Sequence, residues 1–403
     1  MVERVGSVLG RVRVLHPITR LIVGGAQENT MLTAALLDPA RYETSILAGP
    51  QTGPEGEIIS EVRARGIPLT VLPELVREIN PVKDLLALAK LTTFMRRGQY
   101  HVVHTHSSKA GILGRVAARL AGVPVIVHTV HGWGFYDGQH PAVRVLYIAL
   151  EKLADRCCDR LIVVSRLNAD KGLAVGISRP EKYVTIYSGI NVAKYARPTV
   201  DRPTMRAVLG IPADAPVVGT VGRLSPQKAP LDWIHAAAVV AQAVPEARFV
   251  YVGDGPLRPA VEALITELGL TDRVILAGLR RDVPNMLATF DVFALSSRWE
   301  GLPRVIPQAM AAGVPLVCTR VDGAMEAIAD GVTGLLVPPA QPRALGAAIV
   351  SLLRDPARAQ RLAAAGRCRA ADFGVHKMVA DIDALYQALL AQKGIQPAQP
   401  SAA

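Results

Sequence analysis

The stretch DVFALSSRWEGLPRVIPQAMAAG, residues 291–313, decides the fold. DVFALSS is a continuous apolar run of strand length that stops near Ser296. A helix then begins near Pro303–Val305, because proline is tolerated where helix N–H groups are unpaired anyway. Pro307 forces that start to be late, or bends the first turn. Between the two, Glu300, Gly301 and Leu302 form a loop that meets the positive end of the helix dipole. A buried strand turning through a short polar loop into a helix is a repeat unit of a parallel sheet covered on both faces.

The rest of the chain repeats this unit. RVRVLH, YETSILAG, HVVHTH, PVIVHTVHG, RLIVVS and YVTIYSG read as strands in the first half, with helical patterns such as AGILGRVAARLAG between them. NVAKYARPTVDRPTMRAVLG interrupts with proline turns and few apolar residues, which places a linker near 192–205. The alternation restarts with PVVGTVGR, ARFVYVGDG, RVILAGL, DVFALSS, PLVCTRV and GLLVPP. The expected fold class is therefore α/β, with two doubly wound, Rossmann-like domains in tandem. KGIQPAQPSAA, at the end, is expected to be a disordered tail.

Composition narrows the function. At 403 residues the chain is too long for one ordinary core. It has no apolar run long enough to span a bilayer, and MVERVGSVLGRVRVLHP lacks a signal-peptide core, so the expected compartment is the cytosol. Cys157, Cys158, Cys318 and Cys368 show no metal spacing and are expected to be reduced thiols. The net charge of +11 is uneven: residues 1–195 hold 24 Lys and Arg against 16 Asp and Glu, whereas the remainder holds 21 against 18. A basic first half suits an anionic partner, a phosphate or an acidic membrane surface; an arginine-rich composition with no such partner reads the same. Nucleic acid is not expected, because there is no dense basic run and aromatics are only 4%.

In open parallel sheets ligands bind beyond the carboxyl ends of the strands, and the polar and glycine-rich residues collect there. Gly24 and Gly25 precede a helical run and offer bare N–H groups to a phosphate, although such a pair is also an ordinary turn. His104, His106 and His131 follow strand ends, with Lys109 and Arg115 near the first two; His131 is the best placed, since Gly132 leaves room beside it, while His128 is expected to face the packing. Arg223 and Lys228 frame the loop GRLSPQK and could neutralise two phosphates, or stand in solvent. Gly253-Asp254-Gly255-Pro256 is not a dinucleotide fingerprint, because Arg258 stands where that motif needs glycine. AGLRRDVP offers backbone to clamp a flat base. Glu300 and Gln308 are separated by a few loop residues and about one helical turn, at ~1.5 Å per helical residue. Both can lie along one elongated ligand such as a nucleotide-sugar, Glu300 near the sugar and Gln308 near the ribose; alternatively Glu300 only caps the turn.

Taken in order, HTHSSKAGILGRVAARLAGVPVIVHTVHGWGF, VGRLSPQKAPLDWI, GDGP, SSRWEGLPRVIPQAMAAGVPLVCT and GAMEAIADGVTGLLVPP resemble glycosyltransferase family 4, the group 1 glycosyltransferases. The resemblance covers nearly the whole chain. It implies the retaining GT-B fold, with two Rossmann-like domains facing across a cleft: an acceptor-binding domain over 1–195, a nucleotide-sugar-binding domain over 196–372, and a helix over 373–392 returning to the first, before the tail 393–403. It implies that Arg223 and Lys228 hold the diphosphate, that Glu300 meets sugar hydroxyls, and that the Gly301-Leu302 backbone meets sugar and phosphate. It also implies that His131 lines the sugar side, that the Gly24-Gly25 loop closes over the leaving phosphate, and that Gly253 belongs to the substrate-binding set. The family has Glu at the position of Gln308, and the resemblance gives that position to ribose hydroxyls, where an amide can both donate and accept.

The expected activity is transfer of a sugar from a UDP- or GDP-sugar to an acceptor hydroxyl in cell-surface polysaccharide or glycolipid assembly, with no metal and no cofactor. The acceptor is expected to be lipid-linked, a saccharide or a small molecule, met at the inner face of a membrane. Asp381-Ile382-Asp383 is the only Asp-x-Asp and reads as a solvated helix face, not a metal motif. The alternatives are a non-hydrolysing nucleotide-sugar epimerase and a non-catalytic nucleotide-sugar-binding partner; a dehydrogenase lacks its glycines.

Overall fold

A computed structural model describes residues 10–51, 56–136 and 138–395. The first nine residues of the stretch read for a leader, and the expected tail from 396 on, lie outside the described residues. The chain divides into two compact units, Met1–Gly189 with His376–Ala403, and Ile190–Val375.

The first unit holds strands β1 (Val12–Ile18), β2 (Tyr42–Ala48), β3 (Leu69–Val71), β4 (Val102–His106), β5 (Val125–Val130), β6 (Arg160–Val163) and β7 (Tyr183–Thr185), in the order β3-β2-β1-β4-β5-β6-β7. All its pairings are parallel. The second unit holds β8 (Val217–Val221), β9 (Arg248–Val252), β10 (Val274–Gly278), β11 (Val292–Leu295), β12 (Leu316–Thr319) and β13 (Leu335–Val337), in the order β10-β9-β8-β11-β12-β13, again parallel throughout. Every run read as a strand is one. The edge strand β3 is absent from the expected set because its three residues are largely exposed and form no apolar run.

Each sheet reverses its strand order once, between β1 and β4 and between β8 and β11. At such a point the loops leaving neighbouring strands run to opposite faces and open a crevice at the carboxyl ends. Gly24, Gly25, His106 and the residues after them belong to the first switch point; Arg223, Lys228 and Glu300 belong to the second.

The segment with few apolar residues at 192–205 does not hang between units. Asn285 accepts hydrogen bonds at Oδ1 from the backbone N–H of Thr199 (2.8 Å) and Val200 (3.2 Å). The buried Arg206 donates to the carbonyls of Ala213 (2.7 Å), Ala215 (3.0 Å) and Thr289 (3.0 Å) and to Asp291 (2.8 Å). Polar contacts therefore hold what hydropathy marks as loose, and the segment belongs to the second unit.

The C-terminal helix Val375–Gln392 enters the first unit at His376. Its Tyr386 hydroxyl lies 2.5 Å from His104 Nδ1. Asp383 is not a solvated face: its carboxylate accepts from the Tyr42 hydroxyl (2.5 Å) and from Gln387 (2.9 Å). Lys393 closes the helix and pairs with Asp159 at 3.1 Å. All four cysteines are free thiols.

Two buried polar features anchor the first unit. Arg115, on the helix Ser108–Ala121, donates to Glu151 Oε2 (2.6 Å) on the helix Pro141–Asp155 and to the Gly111 carbonyl (2.8 Å). Both charges are removed from water, so neither serves a ligand. His16, His104, His106 and His128 are buried together. Burial pushes the His16 imidazole down to about 3 and holds the other three well below the usual histidine range. They pack as neutral rings.

Two outcomes follow. Glu151→Ala strands a buried guanidinium and is expected to destabilise the first unit by about 3–5 kcal/mol, read as a lower denaturant midpoint; a loss below about 1 kcal/mol would contradict the pairing. Histidine pKa values depressed on folding mean that the unfolded chain binds more protons below pH 6.5. Stability is thus full above that pH and falls as pH drops toward the folded values, by up to ~1.4 kcal/mol per pH unit for each ring. Urea midpoints between pH 7 and pH 5 check this, and a flat profile would contradict it.

Candidate functional site

The corner that opened the sequence reading forms the centre of the second unit's switch point. β11 ends at Leu295, and the eight-residue helix Val305–Ala312 runs to Gly313, which takes the left-handed C-cap. Pro307 lies in that helix's first turn, where its missing N–H costs nothing. The loop between is fixed from beneath. The Ser296 hydroxyl donates to the Lys228 carbonyl (2.8 Å), the Arg298 N–H to the Gln227 carbonyl (2.8 Å), and the Thr319 hydroxyl to the Ser297 carbonyl (2.6 Å).

Glu300 is 8% exposed. Lys228 Nζ reaches its Oε1 at 2.5 Å, the Ser297 hydroxyl donates to the same oxygen at 2.6 Å, and Gln227 Nε2 approaches Oε2 at 3.4 Å. Its backbone N–H donates to Asp322 Oδ2 at 2.7 Å. Glu300 is therefore a positioned carboxylate rather than a turn cap. A carboxylate has about four acceptor positions and an ammonium three donors, so both groups keep capacity for a ligand.

Asp322 sits at φ 36°, a left-handed conformation that aspartate tolerates better than most residues. The next residue must be glycine: a Cβ at Gly323 would meet the Gly301 carbonyl at 2.1 Å, and its N–H donates to that carbonyl at 3.0 Å. The Leu302 N–H, just before the helix, makes no hydrogen bond among the described residues. Gln308 is 6% exposed, and its side-chain amide makes no hydrogen bond to another described residue.

The loop carrying Arg223 and Lys228 packs backbone-to-backbone on the loop after β9. A Cβ at Gly253 would lie 2.0 Å from the Gly222 carbonyl, and one at Gly255 would lie 2.5 Å from the Leu224 carbonyl. Gly253 thus has a packing duty, at φ 136°, with its N–H donated to the Gly278 carbonyl (2.8 Å). Arg223 is half-buried at the head of the loop, and Lys228 ends it before the helix Pro230–Ala243. In the AGLRRDVP loop, Arg280 is bound in a fork to Asp282 (2.8 and 2.7 Å).

In the first unit, Gly24 is the extended N-cap of the helix Gly25–Leu36, and its carbonyl accepts from the Glu28 N–H at 3.0 Å. His131 stands at the end of β5, half-buried, with its Nε2 3.1 Å from His106 Nδ1. His106 Nε2 in turn lies 3.1 Å from His16 Nδ1. The three rings form a hydrogen-bonded row from the core to the strand end, which sets the tautomer of His131 from below. His104 is taken at both nitrogens, by Tyr386 and by Thr129 (2.6 Å). His128 bonds Thr105 and faces the packing. Lys109 is held by Asp84 (2.6 Å).

The structure thus brings Glu300, Gly301, Leu302 and Lys228 together at one corner. Arg223, Gly253 and Gln308 stand on the adjoining loops and helix of the same unit, while Gly24, Gly25 and His131 lie at the switch-point end of the other sheet. Sequence reasoning missed Gln227, Ser297 and Asp322, the three residues that orient Glu300. The available signal for Asp322 was an acid three residues past the end of β12; Ser297 and Gln227 carry none.

A family model described as "Glycosyl transferases group 1" matches residues 201–369, and one described as "Glycosyl transferase 4-like domain" matches residues 24–189. An Escherichia coli protein named UDP-Gal:alpha-D-GlcNAc-diphosphoundecaprenol alpha-1,3-galactosyltransferase is 35% identical over 324 residues, 79% of this chain and 81% of that one. A D-inositol 3-phosphate glycosyltransferase of Thermobispora bispora is 32% identical over 308 residues, 72% of this chain and 71% of its own. The crystal structure of Anabaena HepE in complex with UDP and glucose superposes with a TM-score of 0.82 at 25% identity, covering 94% of this chain and all of that one. On these grounds the chain belongs to the group 1 glycosyltransferases and has their α/β, two-domain GT-B fold.

Proposed function

We propose that this glycosyltransferase moves a sugar from a UDP-sugar to a hydroxyl of a lipid-linked saccharide, keeping the anomeric configuration and using neither metal nor cofactor. The observation that carries the donor half is the Lys228–Glu300 pair beside the unpaired Leu302 N–H, at the switch point of the second sheet. A negative diphosphate suits the N–H groups at the start of the helix Val305–Ala312 together with Lys228 and Arg223. Glu300 then meets hydroxyls of the sugar, and the side-chain amide of Gln308, which no other described residue bonds, meets the ribose. UDP rather than GDP is favoured by the UDP and UDP-glucose complexes of HepE and by the donor in the name of the E. coli relative. That name also favours an acceptor carried on a polyprenyl diphosphate, within glycan or glycolipid assembly.

The reaction breaks the bond between the anomeric carbon and the diphosphate oxygen, whose electron pair leaves with the UDP. The acceptor oxygen forms its bond on the same face, and its proton passes to the departing phosphate. The positive charge needed there comes from Arg223, Lys228 and backbone N–H groups, which is the ground for proposing no metal. His131, its tautomer set by His106, lines the sugar in this reading.

Arg223→Ala and Lys228→Ala are each expected to lower kcat by about 10²–10³-fold, the usual loss for one transition-state donor; transfer at near-normal rate would contradict the role. Glu300→Gln is expected to fall comparably in kcat. Gln308→Glu is expected to change KM for the donor by about fivefold with little change in kcat, since a charge-assisted hydrogen bond gains ~1 kcal/mol over a neutral one. Equal small effects at both positions would make the corner purely structural. Thermal-shift screening against UDP-, GDP-, ADP- and dTDP-sugars checks the base, with stabilisation by the UDP-sugars expected. Conversion of the donor without any acceptor would point to an epimerase instead.

A further inference from the structure

The row of three imidazoles crosses three neighbouring strands. His16 stands on β1, His106 ends β4 and His131 follows β5. The two links are alike: 3.1 Å from His16 Nδ1 to His106 Nε2, and 3.1 Å from His106 Nδ1 to His131 Nε2. Successive ring centroids are 5.4 Å apart in both steps. His104 is not a member, because Tyr386 and Thr129 take both its nitrogens.

A hydrogen bond between two imidazoles needs a proton on one nitrogen and a lone pair on the other. His16 and His106 are wholly buried, and neither has a carboxylate as hydrogen-bond partner among the described residues. Each is therefore a neutral ring with one proton, because a buried charge without a counter-charge is too costly. Only two proton orders then satisfy both links. In the first, His16 donates from Nδ1 to His106, His106 donates from Nδ1 to His131, and His131 accepts at Nε2 while carrying its own proton on Nδ1. In the second, the protons sit on Nε2: His131 donates to His106, His106 donates to His16, and His16 keeps an N–H at its Nε2.

The inner end decides between them. His16 Nε2 is buried and meets no hydrogen-bond partner among the described residues. A buried N–H without an acceptor is rarely tolerated, whereas an unused lone pair is the lesser fault. The first order leaves a lone pair at that atom; the second strands an N–H there.

We propose that His16 and His106 are positioning residues that hold His131 in the tautomer protonated at Nδ1, so that the ring presents an N–H donor and keeps no basic nitrogen for a substrate. A second proton on His131 would have to enter at Nε2, which would reverse both inner rings and strand the N–H of His16. The consequence for the reaction rests on the reading that sets a sugar beside His131. There the ring donates to a sugar oxygen and cannot remove the acceptor's proton, which leaves the departing phosphate to take it.

NMR of the ring nitrogens, on the full chain with its nine histidines isotope-labelled and near pH 7, tests the proton order. The signals lost in His131→Gln assign that ring. In the parent, His131 is expected to be protonated at Nδ1 and bare at Nε2. A proton at Nε2, protons at both nitrogens, or an exchange average of two tautomers would overturn the proposal, and this measurement decides it whether or not the inner variants fold. His16→Leu is expected to free the row, so that His131 averages between tautomers and transfer slows several-fold. His16→Asn, whose amide N–H can stand where Nδ1–H stood, is expected to restore the single tautomer and most of the rate. An unchanged His131 tautomer in His16→Leu would also overturn the proposal, since a ring that only packs would leave that proton where it was. The expected tautomer with signals that do not move under saturating UDP-sugar would sink the placement of His131 at the sugar and leave the proton order standing.

Discussion

Lys228 Nζ and Glu300 Oε1 lie 2.5 Å apart across 72 residues of chain, with little of either side chain in water. A carboxylate so placed is strongly destabilising unless a positive group and further donors meet it. The pair therefore requires that the loops after β8 and β11 arrive side by side, which is what the change in strand order at that point brings about. Much else in the second unit serves that meeting. Gly253 and Gly255 let the β9 loop close on the loop bearing Lys228, Gly323 lets the β12 loop close on Gly301, and Asp322 accepts a left-handed backbone to hold the Glu300 N–H.

The first unit applies the same geometry to different chemistry. Its switch point is lined by imidazoles rather than by an ion pair, and burial keeps those rings neutral. The row His16–His106–His131 delivers an oriented histidine to the strand end. The C-terminal helix contributes through Tyr386 and Asp383, so residues at the far end of the chain help to position the His104 ring within β4 and the Tyr42 side chain on β2. A motif read as solvated proves to be a fastening, because a helix that docks on another segment must bury some of its polar face.

Strand runs such as RLIVVS and DVFALSS were legible because parallel strands buried on both faces read as continuous apolar stretches. The corner at Glu300 was legible for a related reason, since a polar loop between such a run and a helix has one place to be. The residues that hold Glu300 were not. Gln227 and Asp322 act through long-range contacts that leave no local period, Ser297 acts through a loop contact three residues away that no periodicity marks, and Gly253 looks like a ligand-facing glycine although a Cβ there would collide with the next loop. The segment at 192–205 misled for the opposite reason, since buried arginine and asparagine hold it where hydropathy finds nothing.

The account depends on the nucleotide diphosphate lying on the second unit's switch point. Hydrogen exchange read by mass spectrometry, with and without UDP, tests this directly. Slowed exchange is predicted in segments 222–228 and 297–305, with little change along the first unit's sheet. Protection confined to the first unit, or none at either segment under saturating UDP, would contradict it.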